Sequence, residues 1–128
     1  YVRECTRPTD RVMASWFVPE LYFFATRGFA GGMIVFFDGQ WSATPFQQRS
    51  VSMLREQSVP IVIIDMERYG DFRDQFELID DYLQTRFRIA GESNLGNPEI
   101  DEHGYRVMVG NDLVPVRTYG PGALPCFR

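Results

Sequence analysis

The chain has 128 residues, which fits a single domain, because domains commonly run about 100–150 residues. Hydrophobic residues make up 45% of it and aromatic residues 15%, enough for a packed core and against disorder. The formal net charge is -4, so no basic surface for nucleic acid is expected. No run of about 20 apolar residues is present, which excludes a membrane-spanning helix in this segment. The chain starts at Tyr1 and not at Met, and we therefore expect it to be part of a longer protein.

The first part of the chain alternates strand and helix signals. Residues 11–18 form an apolar run typical of a buried strand. Residues 19–27 predict a short helix, because proline is favoured at the first helical position and an acidic residue follows it. Glycines end this helix, and the apolar run at residues 33–37 predicts a second buried strand.

The middle of the chain continues this alternation with a helix at residues 44–57. Thr44 at the cap, Pro45 at the first position and Gln47 further on predict a capping box. Residues 59–65 then form a third strand that is apolar on both faces. Such continuity is expected of a strand covered by helices on each side.

A third helix is predicted over residues 71–86, followed by a weak fourth strand at residues 87–90. Four apolar residues recur on one face of this helix at helical spacing: Phe72, Phe76, Ile79 and Leu83. Strands separated by helices require crossover connections and therefore predict a parallel sheet.

The last third of the chain has a different character. Residues 91–104 are polar and rich in turn formers, and residues 105–109 and 113–117 then flank Gly-Asn-Asp, which predicts a β-hairpin. The predicted fold is α/β, a three-layer sandwich with a small, mainly parallel sheet in the order β-α-β-α-β-α-β plus a C-terminal β-hairpin. We expect one soluble domain over residues 1–128, with its core at 8–90.

Two cysteines, Cys5 and Cys126, lie near opposite ends of the chain. Domain termini are often close in space, so a disulfide fits, and two unrelated free thiols fit equally well. Their spacing excludes a CxxC redox or zinc motif. With His103 as the only histidine, no metal site is predicted.

Side chains that follow the predicted strands are the best candidates for a binding site, since open parallel sheets bind ligands beyond the carboxyl ends of their strands. The candidates are two indoles and four carboxylates: Trp16, Glu20, Asp38, Trp41, Asp65 and Glu67. Such a rim suits a sugar, whose C–H faces stack on aromatic rings and whose hydroxyls bond to carboxylates. The alternative is that the carboxylates cap helices and end strands while the indoles pack. No base, nucleophile or metal set completes the rim, so no catalytic residue and no cofactor is predicted.

Three segments together carry a resemblance to a known family. They are Asp10-Arg11-Val12, Pro19-Glu20-Leu21-Tyr22-Phe23-Phe24 and Arg27-Gly28-Phe29-Ala30-Gly31-Gly32, with a later strand from Pro60 to Asp65. Over residues 8–90 the chain resembles the C-terminal soluble domain of bacterial multi-spanning glycosyltransferases. These are the relatives of dolichyl-phosphate-mannose–protein mannosyltransferase and of the lipid A aminoarabinose transferase.

The resemblance implies a parent enzyme that passes sugar from a polyprenyl-phosphate donor to an acceptor on the periplasmic or outer face of the membrane. The family's catalytic carboxylate lies outside the matching region, so none is carried over. This segment would be a non-catalytic accessory domain over the parent's own transmembrane region, shaping access of a saccharide or lipid-linked acceptor or contacts with partners. An outer-face location also implies the Cys5–Cys126 disulfide. The alternatives are a freestanding saccharide-binding or hydrolytic α/β domain that uses the strand-end rim, and a pure interaction module.

Overall fold

A computed structural model describes residues 1–37, 39, 41–93 and 104–128, and within them it contains five helices and seven strands. The helices are α1 (Val2–Cys5), α2 (Pro19–Ala25), α3 (Thr44–Glu56), α4 (Tyr69–Gln75) and α5 (Glu77–Arg86). The strands are β1 (Arg11–Ala14), β2 (Gly28–Phe29), β3 (Ile61–Asp65), β4 (Phe87–Ser93), β5 (Tyr105–Gly110), β6 (Arg117–Tyr119) and β7 (Leu124–Cys126).

Five strands form the main sheet, in the order β2-β1-β3-β5-β4. Strand β1 pairs in parallel with β2 and β3, whereas β5 is antiparallel to both β3 and β4. Four of the five strands therefore point in one direction. The remaining two, β6 and β7, form a separate antiparallel hairpin at the C-terminal end. The predicted fold class, an α/β sandwich with a mainly parallel sheet and a C-terminal hairpin, is confirmed.

Helices cover both faces of the sheet. In β3, Ile61 and Ile63 face the core under α1 and α2, whereas Val62 and Ile64 face the core under α3, α4 and α5. All four side chains are buried. The prediction that residues 59–65 contain a strand buried on both faces is confirmed, and this strand lies at the centre of the sheet.

The predicted third helix is present as two helices that meet at Phe76. The Phe76 backbone has φ -118° and ψ 46°, and this conformation interrupts the helical path between α4 and α5. The predicted apolar face is nevertheless intact, since Phe72, Phe76, Ile79 and Leu83 are all at most 3% exposed.

The predicted second strand at residues 33–37 is wrong. The edge strand next to β1 is Gly28–Phe29 instead. Gly31 and Gly32 follow with φ of 69° and 70°, values that turn the chain away from the sheet directly after this pairing. Met33 and Phe36 then insert side chains into the core without a ladder of strand hydrogen bonds.

The predicted position of the hairpin is also wrong. Residues 105–109 belong to β5, which lies between β3 and β4 in the main sheet. The reason is that β5 is apolar on both sides, with Met108 in one core and Val107 and Val109 in the other. Residues 111–116 connect β5 to the hairpin that is present, and Val114 is 84% exposed. Strand β4 is longer than predicted and has a bulge between Ile89 and Gly91.

The predicted capping box at the start of α3 is wrong as well. Ala43 is the N-cap residue and makes no side-chain cap. The Gln47 amide is buried, donates to the carbonyl oxygens of Ser42 and Gln75, and accepts from the N–H of Leu78. Its side chain joins α3 to α4 and α5, so it is not available for the cap.

The two ends of the chain are joined by a disulfide between Cys5 and Cys126, both of which are fully buried. The Tyr1 hydroxyl donates to the carbonyl oxygen of Pro125 at 2.7 Å, and the N–H of Phe127 donates to the Cys5 carbonyl at 2.9 Å. Helix α1 is thereby held against β7. Of the two alternatives left by the sequence, the disulfide is the one that forms.

The Asp-Arg pair that contributes to the family resemblance has a structural role. Asp10 is buried, and its carboxylate accepts from the Arg7 N–H at 2.6 Å and from the Ser58 hydroxyl at 2.7 Å. Arg11 donates through Nη1 to the Phe29 carbonyl at 3.0 Å. The pair fixes the start of β1 against β2 and against the segment that leads into β3.

A buried arginine, Arg27, joins α1 to the end of α2. It is 6% exposed and donates six hydrogen bonds, all to uncharged oxygen atoms. The acceptors are the hydroxyl and carbonyl oxygens of Thr6 and Thr26 and the carbonyl oxygens of Arg3 and Ala25. Neutral dipoles therefore balance this charge.

Candidate functional site

The strand connections define where a crevice opens at the edge of the sheet. After β1 the chain passes through α2 to β2 on one side, and after β3 it passes through α4 and α5 to β4 on the other side. The two connections lie on opposite faces of the sheet. Adjacent parallel strands whose connections diverge in this way leave a ligand-binding crevice beyond their carboxyl ends. In this chain that point lies between β1 and β3.

A cavity of about 310 Å³ occupies this place. It is lined by residues that directly follow β1, by the segment before α3, and by the start and end of α4: Ser15, Trp16, Phe36, Phe37, Arg68, Asp71, Phe72 and Phe76. We call it the strand-end cavity. Its lining combines aromatic rings with a hydroxyl, a guanidinium and a carboxylate.

The aromatic side chains of the strand-end cavity are held by packing against one another. The Trp16 ring stacks on Tyr105 of β5, with centroids 4.9 Å apart and planes inclined at 23°. Phe36 packs edge-on against Phe72 and Phe76 at 5.3 and 5.2 Å, which closes the inner end of the cavity. An indole fixed in this way is available as a flat surface for a ring-shaped ligand.

The polar side chains of the strand-end cavity keep hydrogen-bonding capacity. Ser15 is 4% exposed, and its Oγ accepts the N–H of Asp65 at 2.9 Å, which leaves the hydroxyl proton for another acceptor. Arg68 and Asp71 are exposed and carry opposite charges. Within the described residues neither side chain forms an ion pair.

The six residues predicted as a strand-end rim are not all brought together. Trp16 lines the strand-end cavity, and Asp65 lies beside it, at the end of β3, where its carboxylate accepts the N–H of Glu67 at 3.0 Å. Glu20 lies on the other face of the sheet, and Trp41 borders a different cavity. Asp38 lies outside the described residues, and a binding role for any of the six stays a prediction.

The cavity beside Trp41 has a volume of about 510 Å³ and lies between the glycine-rich turn and α3. Trp41 meets Phe46 edge-on at 4.9 Å and has φ 60°, a left-handed conformation that is uncommon for a bulky residue. On its floor, Ser50 Oγ is the only buried side-chain oxygen or nitrogen within the described residues that lacks a hydrogen-bond partner.

A third concavity, of about 550 Å³, is mainly apolar and runs beside α1 and α2. Glu20, Leu21 and Phe24 line it from α2. Phe24 is 69% exposed and the adjacent Phe23 is 76% exposed, so α2 presents aromatic surface to the outside.

Residues of the strand-end cavity that sequence reasoning missed are Ser15, Phe37, Arg68 and Asp71. The strand-end rule, read for a sugar site, selects indoles and carboxylates close behind each strand. The same rule extended to six residues past β3 reaches Arg68 and Asp71, and Ser15 is the first residue after β1. Phe37 belongs to a segment that was predicted to be a strand, so nothing in the sequence indicated that it lines the cavity.

In the described part of the chain, no three His, Cys, Asp or Glu side chains are arranged to hold a metal ion. His103 lies outside it. Burial raises the pKa of the Tyr22 hydroxyl to about 12; this hydroxyl accepts the N–H of Ala14 at the end of β1. Tyr22 therefore stays neutral and serves the packing of α2 on the sheet.

Comparison with known proteins gives no relative: no family model, curated protein or solved structure matches the chain. Among the described helices, none has both the length and the apolar character needed to cross a bilayer. The fold and the strand-end cavity therefore define an α/β domain with a crevice typical of ligand-binding open sheets.

Proposed function

We propose that the chain is a non-catalytic, extracytoplasmic domain of a membrane glycosyltransferase, and that its strand-end cavity contacts the saccharide part of the acceptor. The observation that carries this proposal is the composition of the cavity at the β1–β3 switch point. An indole held by Tyr105, a carboxylate and a buried hydroxyl with a spare proton are the groups that recognise a sugar ring.

The disulfide supports the location. Bonds such as Cys5–Cys126 persist in oxidising compartments and are rare in the cytosol. A periplasmic or outer-face position, where polyprenyl-phosphate-dependent transferases of the resembled family act, provides such an environment.

Exposed aromatic residues on α2 support contact with a larger assembly. Phe23 and Phe24 meet edge-on at 5.4 Å, and Phe24 lines the apolar concavity. Contiguous apolar surface of this kind marks interaction sites. In the proposed arrangement, the parent's own transmembrane region covers it.

The second candidate is a freestanding saccharide-binding or hydrolytic domain, and the strand-end cavity favours it too. The two candidates differ in what surrounds the segment in its gene. A transferase requires about eight or more apolar segments of roughly 20 residues in the same reading frame. It also requires an acidic residue in the first outer loop, where the resembled family keeps its catalytic carboxylate.

The decisive experiment is to sequence the gene around the codon for Tyr1 and then assay the full-length protein. Replacing the acidic loop residue by its amide should abolish sugar transfer. Trp16→Ala should raise KM for the acceptor several-fold and leave KM for the donor unchanged, whereas Trp41→Ala, in a separate cavity, should change neither. A short or purely soluble reading frame, or turnover by the isolated domain, would contradict the proposal.

A further inference from the structure

We infer that the strand-end cavity selects saccharides that carry an acidic group, either a carboxylate or a phosphate. The inference rests on the proposed function for the saccharide nature of the ligand and adds the charge of that ligand. It is carried by two hydrogen-bond donors, Arg68 and Ser15, that line one cavity together with Trp16.

Arg68 supplies the charge. Within the described residues its guanidinium donates no hydrogen bond and pairs with no carboxylate, although Asp71 lies three residues further along. By contrast, Arg27 donates to six protein oxygens, and Arg106 pairs with the Glu92 carboxylate. A guanidinium with its donors uncommitted matches the two oxygens of a carboxylate or phosphate bidentately.

Ser15 supplies a second donor from the inner end of the strand. Its Oγ already accepts the backbone N–H of Asp65, so the hydroxyl proton is what remains to offer. A buried hydroxyl that can only donate favours an acceptor, and an anionic oxygen is the strongest one. Because Ser15 is 4% exposed, it keeps a fixed position for that contact.

Trp16 and Asp71 account for the rest of the ligand. Stacking on Tyr105 holds the indole in place, and the ring that borders the cavity offers a surface to the C–H face of a pyranose. The Asp71 carboxylate accepts sugar hydroxyls and repels a second anionic group. The ligand is therefore oriented with its acid group toward Arg68 and Ser15 and its hydroxyls toward Asp71.

The test measures binding to the 128-residue chain by isothermal titration calorimetry, with Trp fluorescence as a second readout. The probes are glucuronate, glucose 6-phosphate, glucose and inorganic phosphate. At least one acidic sugar should bind about tenfold or more tightly than glucose, since a charge-assisted hydrogen bond contributes on that order. Comparing the affinities for glucuronate and glucose 6-phosphate shows whether the cavity prefers a carboxylate or a phosphate.

Variants distinguish binding in the strand-end cavity from general electrostatic attraction to the protein surface. Arg68→Gln should reduce the affinity for acidic sugars to the affinity for glucose. Arg68→Lys keeps the charge but loses the planar guanidinium that binds bidentately, so it should give an intermediate affinity. Arg49→Gln is the matched control, because Arg49 is an exposed arginine beside the other tryptophan cavity, and it should change nothing. Both positions are exposed, so loss of folding is not expected to confuse the result.

Four results would overturn the inference. Equal affinity for glucose and the acidic sugars would remove the charge selectivity and leave the proposed function standing. Equal affinity for inorganic phosphate and glucose 6-phosphate would reduce the cavity to a simple anion site. Equal effects of Arg68→Gln and Arg49→Gln, or no binding of any probe, would also overturn it, whereas the reading frame and the KM test decide the proposed function separately.

Discussion

The buried guanidinium of Arg27 offers the sharpest test of how this fold is held together. We consider Arg27→Met, which keeps an unbranched stem about as long as the arginine side chain up to Nε and removes the donors. Three of the six hydrogen bonds are buried, and they end on the hydroxyl and carbonyl oxygens of Thr6 and on the carbonyl of Ala25. Helix α1 has only four residues, so these bonds provide a large share of its attachment to α2.

The expected loss in free energy of unfolding depends on which of the oxygen atoms bonded to Arg27 keep another hydrogen-bond partner. The Ala25 carbonyl still accepts from the Thr26 hydroxyl, and the Thr6 hydroxyl still donates to the Val2 carbonyl. The Thr6 carbonyl loses its buried donor, which costs about 1–3 kcal/mol. The lost charge-assisted bonds add a similar amount, partly offset because a desolvated charge is removed. We expect the free energy of unfolding to fall by about 3 kcal/mol.

Urea denaturation of the oxidised protein, followed by circular dichroism, measures this change. Arg88→Met is the matched control: Arg88 is exposed and also donates to carbonyl oxygens, including that of Gly110 at 2.8 Å. Water can replace those bonds, so the control should cost less than about 1 kcal/mol. If Arg27→Met costs no more than Arg88→Met, the reasoning from buried acceptors is refuted.

Three further predictions test other parts of the fold. Gly31→Ala should lower the free energy of unfolding by about 2–3 kcal/mol, because φ is 69° there and an added Cβ would lie 2.7 Å from a buried hydroxyl on α3. Gly120→Ala, at φ 66° but with open space around the Cβ, should lower it by about 1 kcal/mol in the same urea assay. Reducing the Cys5–Cys126 disulfide, which spans 121 residues, should lower the free energy of unfolding by about 3–4 kcal/mol; an unchanged melting temperature in reductant would contradict this. Burial raises the pKa of Tyr22 to about 12, so the stability that its neutral form contributes is complete below pH 10 and is lost as the pH rises through 12. Burial also raises the pKa of Tyr1 to about 12, so absorbance titration should show two late-ionising phenolates, and Tyr22→Phe should remove one of them. An undiminished late phase in Tyr22→Phe would count against the burial argument.

The sequence was informative wherever periodicity and burial agree. Strand β3 is apolar at every position that faces either core, and α4 with α5 presents four large side chains at helical spacing. Patterns of this kind require a partner layer on each side, which is why the α/β sandwich was predicted. The same reasoning should have placed β5 at the centre of the sheet, since Met108 and its two valine neighbours alternate between the cores.

Other elements depended on contacts that local sequence does not report. The run at residues 33–37 is as apolar as a strand, but the left-handed glycines before it direct it over the sheet and not into it. Gln47 has the spacing of a capping residue, yet its amide bonds to α4 and α5 at 3.0 Å. A turn at two glycines determines the path of residues 33–37, and long-range hydrogen bonds determine the role of Gln47.

For the candidate site, the sequence indicated the location of the cavity better than the identity of the residues that line it. The strand-end rule led to the region beyond β1 and β3, where a cavity is present and where Trp16 and Asp65 lie. It could not show that Trp41 and Glu20 turn toward other concavities, because that depends on loop paths between the elements. Arg68 was overlooked because the sugar interpretation concentrated on carboxylates and indoles.

The disulfide also has a mechanical consequence. The Cα atoms of Cys5 and Cys126 are 4.4 Å apart, so the segment before Cys5 and the segment after Cys126 meet at nearly one point. Tension applied to the two ends passes through a covalent bond and not through the hydrogen bonds of the sheet. The 120 residues between the cysteines form a loop that bears no load, and the strand-end cavity, whose lining residues all lie in that loop, keeps its shape.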